Sequence, residues 1–150
     1  MSLNVAPKKI YVHAPGTLVY TIALAGYVTD GLGNAQVSYS IEIENNDSST
    51  KKALTIELWI MQTSNGKPAE GNNVGTPAKV SFESDQIEAN SSLIYFSDNY
   101  EGADNDLKRA EGFTIRSEVF DPNSYTYWIG SRAEGFATTY VQIEMIQPEE

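Results

Sequence analysis

Few residues in this chain have the types and spacing that chemistry needs. The one histidine, His13, stands before Ala14-Pro15-Gly16. A Ser-His-Asp triad needs an imidazole held by a carboxylate beside an activated serine, and no Gly-x-Ser-x-Gly elbow occurs in the sequence. A single histidine excludes a multi-histidine zinc site. The absence of cysteine excludes disulfides, thiolate zinc and thiol nucleophiles, and leaves the compartment open. Paired carboxylates are the remaining catalytic set. Strand alternation places Glu42, Glu44 and Glu57 on one outward face, and β-sandwich glycosidases use two carboxylates roughly 5–9.5 Å apart. The ordinary reading of such glutamates is a wetted strand face that discourages edge aggregation. The expectation is therefore a chain that is not an enzyme, with a carboxylate hydrolase as the smallest alternative.

The acidic stretch Asp98-Asn99-Tyr100-Glu101-Gly102-Ala103-Asp104-Asn105-Asp106 offers the hard oxygens that Ca²⁺ prefers. Asp98, Glu101, Asp104 and Asp106 are its candidate ligands. The stretch departs from the EF-hand pattern, because Tyr100 fills the third position and the glycine falls one place early. A solvated acidic loop is the competing reading, and no other cofactor is expected. Asn46-Asp47-Ser48 and Asn90-Ser91-Ser92 fit the N-glycosylation tripeptide, which carries meaning only in a eukaryotic secretory pathway.

Aromatic residues are the most informative feature, with nine Tyr, two Trp and five Phe. Trp59, Met61, Phe120, Trp128 and Tyr140 fall on the side opposite the core alternation, and Ile146 joins them. An exposed aromatic patch marks a partner or sugar surface. Two things would remove it: a one-residue register slip, which turns every side chain over, or cover by a long loop such as 63–77. A homodimer with an isologous interface is the commonest use of such a face.

The elements that position these residues read as strands. Val37, Tyr39, Ile41 and Ile43 alternate with Ser38, Ser40, Glu42 and Glu44, and Leu54, Ile56, Leu58 and Ile60 alternate with Thr55, Glu57 and Trp59. Period-2 alternation marks a strand with one buried and one wetted face. The polar loop between the two runs predicts a hairpin spanning Val37 to Met61. Before it, Lys9–His13 reads as an edge strand, and residues 1–7 as a loose arm. Thr17 to Ala25 reads as a strand with Leu18, Tyr20, Ile22 and Leu24 on one face. After the hairpin, residues 63–77 read as a crossover between sheets. Strands follow at Ala78–Ser84, Ser91–Phe96, Phe113–Phe120, Tyr125–Ser131 and Ala137–Ile146, with a turn of helix expected within Asp104–Glu111.

About eight strands separated by turn signals predict an all-β fold: a two-sheet antiparallel β-sandwich of Ig-like or jelly-roll connectivity. At 150 residues the chain reads as a single domain, able to bury roughly 68–70% of its extended surface. The net charge of −10 disfavours nucleic acid and anionic membrane as partners. No apolar run approaches a bilayer span of about 18 residues, and no signal-peptide core precedes Lys8. The chain is expected to be soluble, its compartment undetermined, with Met1-Ser2-Leu3 either native or appended. The functional expectation is a structural or interaction module that self-assembles, or docks into a larger assembly, through a sheet face. The alternative is a carbohydrate- or ligand-binding module, assisted by calcium.

Overall fold

The computed structural model describes residues 18–49, 53–64, 66, 68, 71–98, 108–133 and 138–145. The arm at 1–7, the strand expected at Lys9–His13, and His13 itself lie outside them. Alternating apolar positions dominate the described residues, and these form strands without an α-helix: β1 (Leu18–Thr29), β2 (Ala35–Asn45), β3 (Thr55–Thr63), β4 (Asn72–Asn73), β5 (Gly75–Thr76), β6 (Val80–Glu83), β7 (Ser91–Ser97), β8 (Lys108–Ala110), β9 (Phe113–Ile115), β10 (Thr126–Ala133), β11 (Thr139–Gln142) and β12 (Glu144–Met145). The larger sheet has the order β12-β1-β2-β7-β8, with β9 bonded to β2 and β5. The smaller has the order β11-β10-β3-β4, with β6 on β3.

The inner faces meet as expected for a sandwich. Ile22, Tyr39, Ile41 and Ile43 from the larger sheet and Ile56, Leu58, Ile60 and Ile129 from the smaller are almost wholly buried in one cluster. Most pairings are antiparallel, but β1 with β12 and β7 with β8 run parallel, so the larger sheet is mixed at its edges.

The expected hairpin is not formed. β2 is bonded to β1 along one side and to β7 and β9 along the other, while β3 takes β10 on one side and β4 and β6 on the other. Both edges of each strand are occupied, so the loop after β2 crosses from one sheet to the other. Buried Asn45 anchors the start of that crossing. Its Nδ2 donates to Ser49 O (2.9 Å), Ile87 O (3.0 Å) and Glu88 O (3.1 Å), and its Oδ1 accepts from Asp47 N (3.0 Å). The stretch at 63–77 does cross between sheets, since β4 joins the smaller one and β5 the larger.

Three other segments differ from expectation. In β1 a bulge between Ile22 and Leu24 inserts one residue, so that Ile22 pairs with Ile41 before it and Ala25 with Tyr39 after it; Ile22, Ala25 and Tyr27 are buried, and a bulge advances the alternation by one. Of the range 104–111, expected to hold a turn of helix, residues 104–107 lie outside the described residues and 108–110 form β8, with Ala110 O accepting from Asp98 N at 2.7 Å. The strand expected over Phe113–Phe120 stops at Ile115, because Arg116 O accepts from Val119 N and Phe120 N (both 3.0 Å) and closes a turn. The last run is divided: β11 pairs with β10, Ile143 N donates to Tyr127 O (2.8 Å), and β12 pairs with β1 in the opposite sheet.

Candidate functional site

The outer face of the smaller sheet follows directly from the β3 sequence. Ile56, Leu58 and Ile60 are fully buried inward, which turns Glu57, Trp59, Met61 and Thr63 outward. In β10, Tyr127, Ile129, Ser131 and Ala133 are buried inward, leaving Trp128, Gly130 and Arg132 outside. The antiparallel register then sets Glu57 beside Arg132, Trp59 beside Gly130 and Met61 beside Trp128. On β11, Tyr140 lies beside Gly130 and Gln142 beside Trp128.

Gly130 is what lets Trp59 lie down. A Cβ there would stand 2.4 Å from the indole Cε2, 2.5 Å from Nε1 and 2.7 Å from Cζ2, so the ring occupies the space that any other residue would fill. An aromatic side chain covering a strand glycine shields the backbone that the glycine leaves bare. Tyr140 meets Trp59 edge to face, with centroids 6.4 Å apart and planes at 84°. Trp128 Nε1 donates to Thr63 Oγ1 at 3.1 Å. The rings therefore pave the sheet instead of standing in solvent. Trp59, Trp128 and Tyr140 are half-buried, and Met61 is only 9% exposed.

Phe120 does not belong to this face. Its ring packs at the rim of the core against Tyr27 (5.2 Å, 76°) and Tyr127 (5.3 Å, 39°). The alternation that placed it outward assumed a strand through Phe120, and that strand ends five residues earlier.

Beside Trp59 lies a group of ions that sequence reasoning did not bring together. Glu57 Oε2 accepts from Lys79 Nζ at 2.9 Å, and Oε1 from Arg132 at 3.2 Å. The hydrogen bonds from Lys79 and then Arg132 hold the Glu57 carboxyl below the usual glutamate range. The Lys79 and Arg132 side chains remain more than half exposed, at 57% and 58%. An open groove of about 370 Å³ is lined by Glu57, Trp59, Met61, Asn73, Lys79 and Arg132. A second depression of about 440 Å³ adjoins it on the far side of the ions, between Thr55 and Ala133. Gly130 alone had a sequence signal, being a glycine inside a strand pattern. The convergence of Lys79 and Arg132 on Glu57 depends on register across three strands.

The carboxylate and calcium candidates fare differently. Glu42 and Glu44 lie in the larger sheet and Glu57 in the smaller, on opposite outer faces, so Glu57 forms no catalytic pair with either. Asp98 is exposed, and its Oδ1 accepts from Gly112 N at 2.9 Å. Glu101, Asp104 and Asp106 lie outside the described residues. Among the described residues no three of His, Asp and Glu gather as a metal-binding group. No described helix is long and apolar enough to cross a membrane. The tripeptides at Asn46 and Asn90 are exposed at one end of the sandwich, where Asn90 N donates to Asp47 O (3.0 Å). No protein-family model matches the chain, and no curated protein matches it in sequence.

Proposed function

We propose that this chain is a non-enzymatic interaction module that docks with a second copy, or into a larger protein assembly, through the outer face of the smaller sheet. The observation that carries the reading is the paved platform of Trp59, Tyr140, Trp128 and Met61. Its rings are held by Gly130, by each other and by Thr63, so little side-chain freedom is lost when a partner covers them.

An Ig-like scaffold belongs to the same proposal. The orders β1-β2-β7 and β11-β10-β3 support it, since they match the A-B-E and G-F-C parts of the immunoglobulin pattern, although β8 follows β7 in the chain and runs parallel to it, unlike a D strand. Tyr127, near the start of β10, supports it: its hydroxyl accepts from Asp121 N at 2.8 Å, with Val119 O at 3.1 Å and Gln62 Oε1 at 2.9 Å. A tyrosine bonded back to the preceding corner is a hallmark of that fold.

Solution mass by size-exclusion chromatography with light scattering, over a range of concentrations, tests the docking reading. The expected result is an oligomer that Trp59→Glu returns to monomer. A monomer at every concentration overturns self-docking. The second reading is a ligand-binding module, and the open groove between Trp59 and the Lys79–Glu57–Arg132 ions favours it, since small ligands bind in concave sites with a few fixed polar groups.

A further inference from the structure

We infer that the groove beside Trp59 recognises a saccharide carrying a single carboxylate, such as a hexuronic or sialic-type residue within an otherwise neutral glycan. This rests on the ligand-binding reading of the same face and specifies its chemistry. Two cations share one carboxylate in the ion group, since Lys79 and Arg132 both bond Glu57. Within this group of three one positive charge is left over, on a molecule whose net charge is −10, with the exposed Glu83 the nearest further carboxylate by register, beside Thr55. Both cations keep more than half of their side-chain surface open, so each has donors left for a second oxygen. A guanidinium donates through five N–H groups and an ammonium through three, and one carboxylate bridging both would complete the charge balance.

The apolar side of the groove selects the rest of the ligand. Trp59 covers Gly130 with one side of its ring, is braced edge-on by Tyr140, and keeps a minor part of its surface exposed. An indole lying flat on a sheet with its outer side partly open offers a face to the C–H side of a pyranose ring. The space of about 370 Å³ at Trp59, continuing into about 440 Å³ beyond Arg132, suits a short chain of sugar rings crossing the ions. A dense polyanion is disfavoured by the same numbers: one spare positive charge faces the field of the other acidic groups.

Isothermal titration with two monoanionic probes, sialyllactose and a tetrasaccharide containing one glucuronate, tests this. Lactose and the same tetrasaccharide with its carboxyl reduced to the alcohol serve as neutral counterparts. At least one acidic probe should bind about tenfold more tightly than its neutral counterpart. Lys79→Gln or Arg132→Gln should remove that preference, and Trp59→Ala should abolish binding. Glu57→Gln should tighten the acidic probe several-fold, because it removes the competing carboxylate; a merely structural role for the ions predicts weakening instead. Circular dichroism and melting of each variant show that it is folded. Equal binding of acidic and neutral probes, still dependent on Trp59, overturns the acidic specificity and leaves a saccharide-binding face. No binding of any probe overturns the ligand reading as well. Tighter binding of heparin than of either monoanionic probe overturns the single-carboxylate assignment.

Discussion

The two outer faces of the sandwich are built on equivalent inner faces and yet differ in kind. Behind each lies an aliphatic row, Ile41 and Ile43 in the larger sheet and Ile56, Leu58 and Ile60 in the smaller, all fully buried. On the outer side, β2 of the larger sheet carries Ser38 and Ser40, both buried, and the partly exposed Glu42 and Glu44, with Ile94 and Phe96 of β7 alongside. The smaller sheet presents Trp59, Met61, Trp128 and Tyr140 beside Lys79 and Arg132. The carboxylates make the contrast sharp. Glu42 has Thr21 and Ile94 in register at its sides, whereas Glu57 has two cations in hydrogen-bond reach. Folding requires only the inner rows, so the aromatic and ionic character of one outer face is not accounted for by the core. That asymmetry is the reason to look for a partner there.

The largest expected effect tests the equivalence of the inner rows. Ile41→Ala and Ile56→Ala each empty a site with no exposed surface, and each should cost about 2–5 kcal/mol in urea unfolding. Similar losses from the two sheets would fit one shared core. A cost below about 1 kcal/mol at either site would break the comparison, by showing that its inner face is not packed as described.

The next effect concerns the aromatic face alone. Gly130→Ala places a methyl carbon 2.4 Å from the Trp59 indole, so the ring must rise off the sheet. Overpacking of this kind costs about 1–3 kcal/mol, moderated here because the ring is only partly buried and can move. Tryptophan fluorescence should report greater accessibility to acrylamide. In a double-mutant cycle, Trp59→Ala should abolish most of the penalty of Gly130→Ala, since removal of the ring removes the clash. A full penalty that persists without the indole would place the strain in the backbone instead.

Much of this face was legible in the β3 and β10 sequences because side-chain direction has a period of two and needs no knowledge of partners. Ile56, Leu58 and Ile60 declared the inside, so Trp59 and Met61 followed, and Tyr127 and Ile129 did the same for Trp128. What was illegible depended on events outside one strand. β2 and β3 looked like a hairpin because alternation does not say which edge bonds to which, and a polar loop can turn back or cross over. Phe120 was misplaced because two hydrogen bonds to Arg116 O end β9 and begin a turn, although the apolar pattern runs on. In β1 a single inserted residue shifted the alternation, so that Ala25 and Tyr27 follow Ile22 among the buried positions. Lys79 and Arg132 lie 53 positions apart in the chain, and only the β6-β3-β10 register brings both to Glu57.

A smaller effect separates the end of the sandwich from its faces. Tyr127→Phe removes the hydroxyl that accepts from Asp121 N and lies within bonding distance of Gln62 Oε1 and Val119 O. The loss should be about 1 kcal/mol, the usual worth of a partly buried hydrogen bond. Burial raises the Tyr127 hydroxyl above its ordinary titration range, so its proton is held more firmly than that of an exposed phenol. Because Tyr127 points inward and Trp59 outward, the variant should leave tryptophan quenching unchanged. A change in quenching would mean that the corner and the aromatic face are coupled.

The smallest effect distinguishes the two outer carboxylates by their surroundings. Hydrogen bonds from Lys79 and Arg132 lower the Glu57 titration from its ordinary value of 4.5. A carboxyl with a depressed value in the folded state binds fewer protons there than in the unfolded chain, so its contribution to stability is complete above pH 4.5 and is lost as the pH falls through the lowered value. The contribution is small, because Lys79 and Arg132 are exposed and salt screens such pairs. Glu57→Gln should therefore change stability slightly at pH 7 and flatten its decline below pH 4.5, measured by urea unfolding at fixed pH values and low salt. At neutral pH Glu42→Gln should stay within about 0.5 kcal/mol of wild type, as surface substitutions commonly do. If Glu57→Gln left the acid slope as steep as in the wild type, the ion group would not persist in solution. The electrostatic half of the contrast between the faces would then fail, while the aromatic half would stand on Gly130 and Trp59.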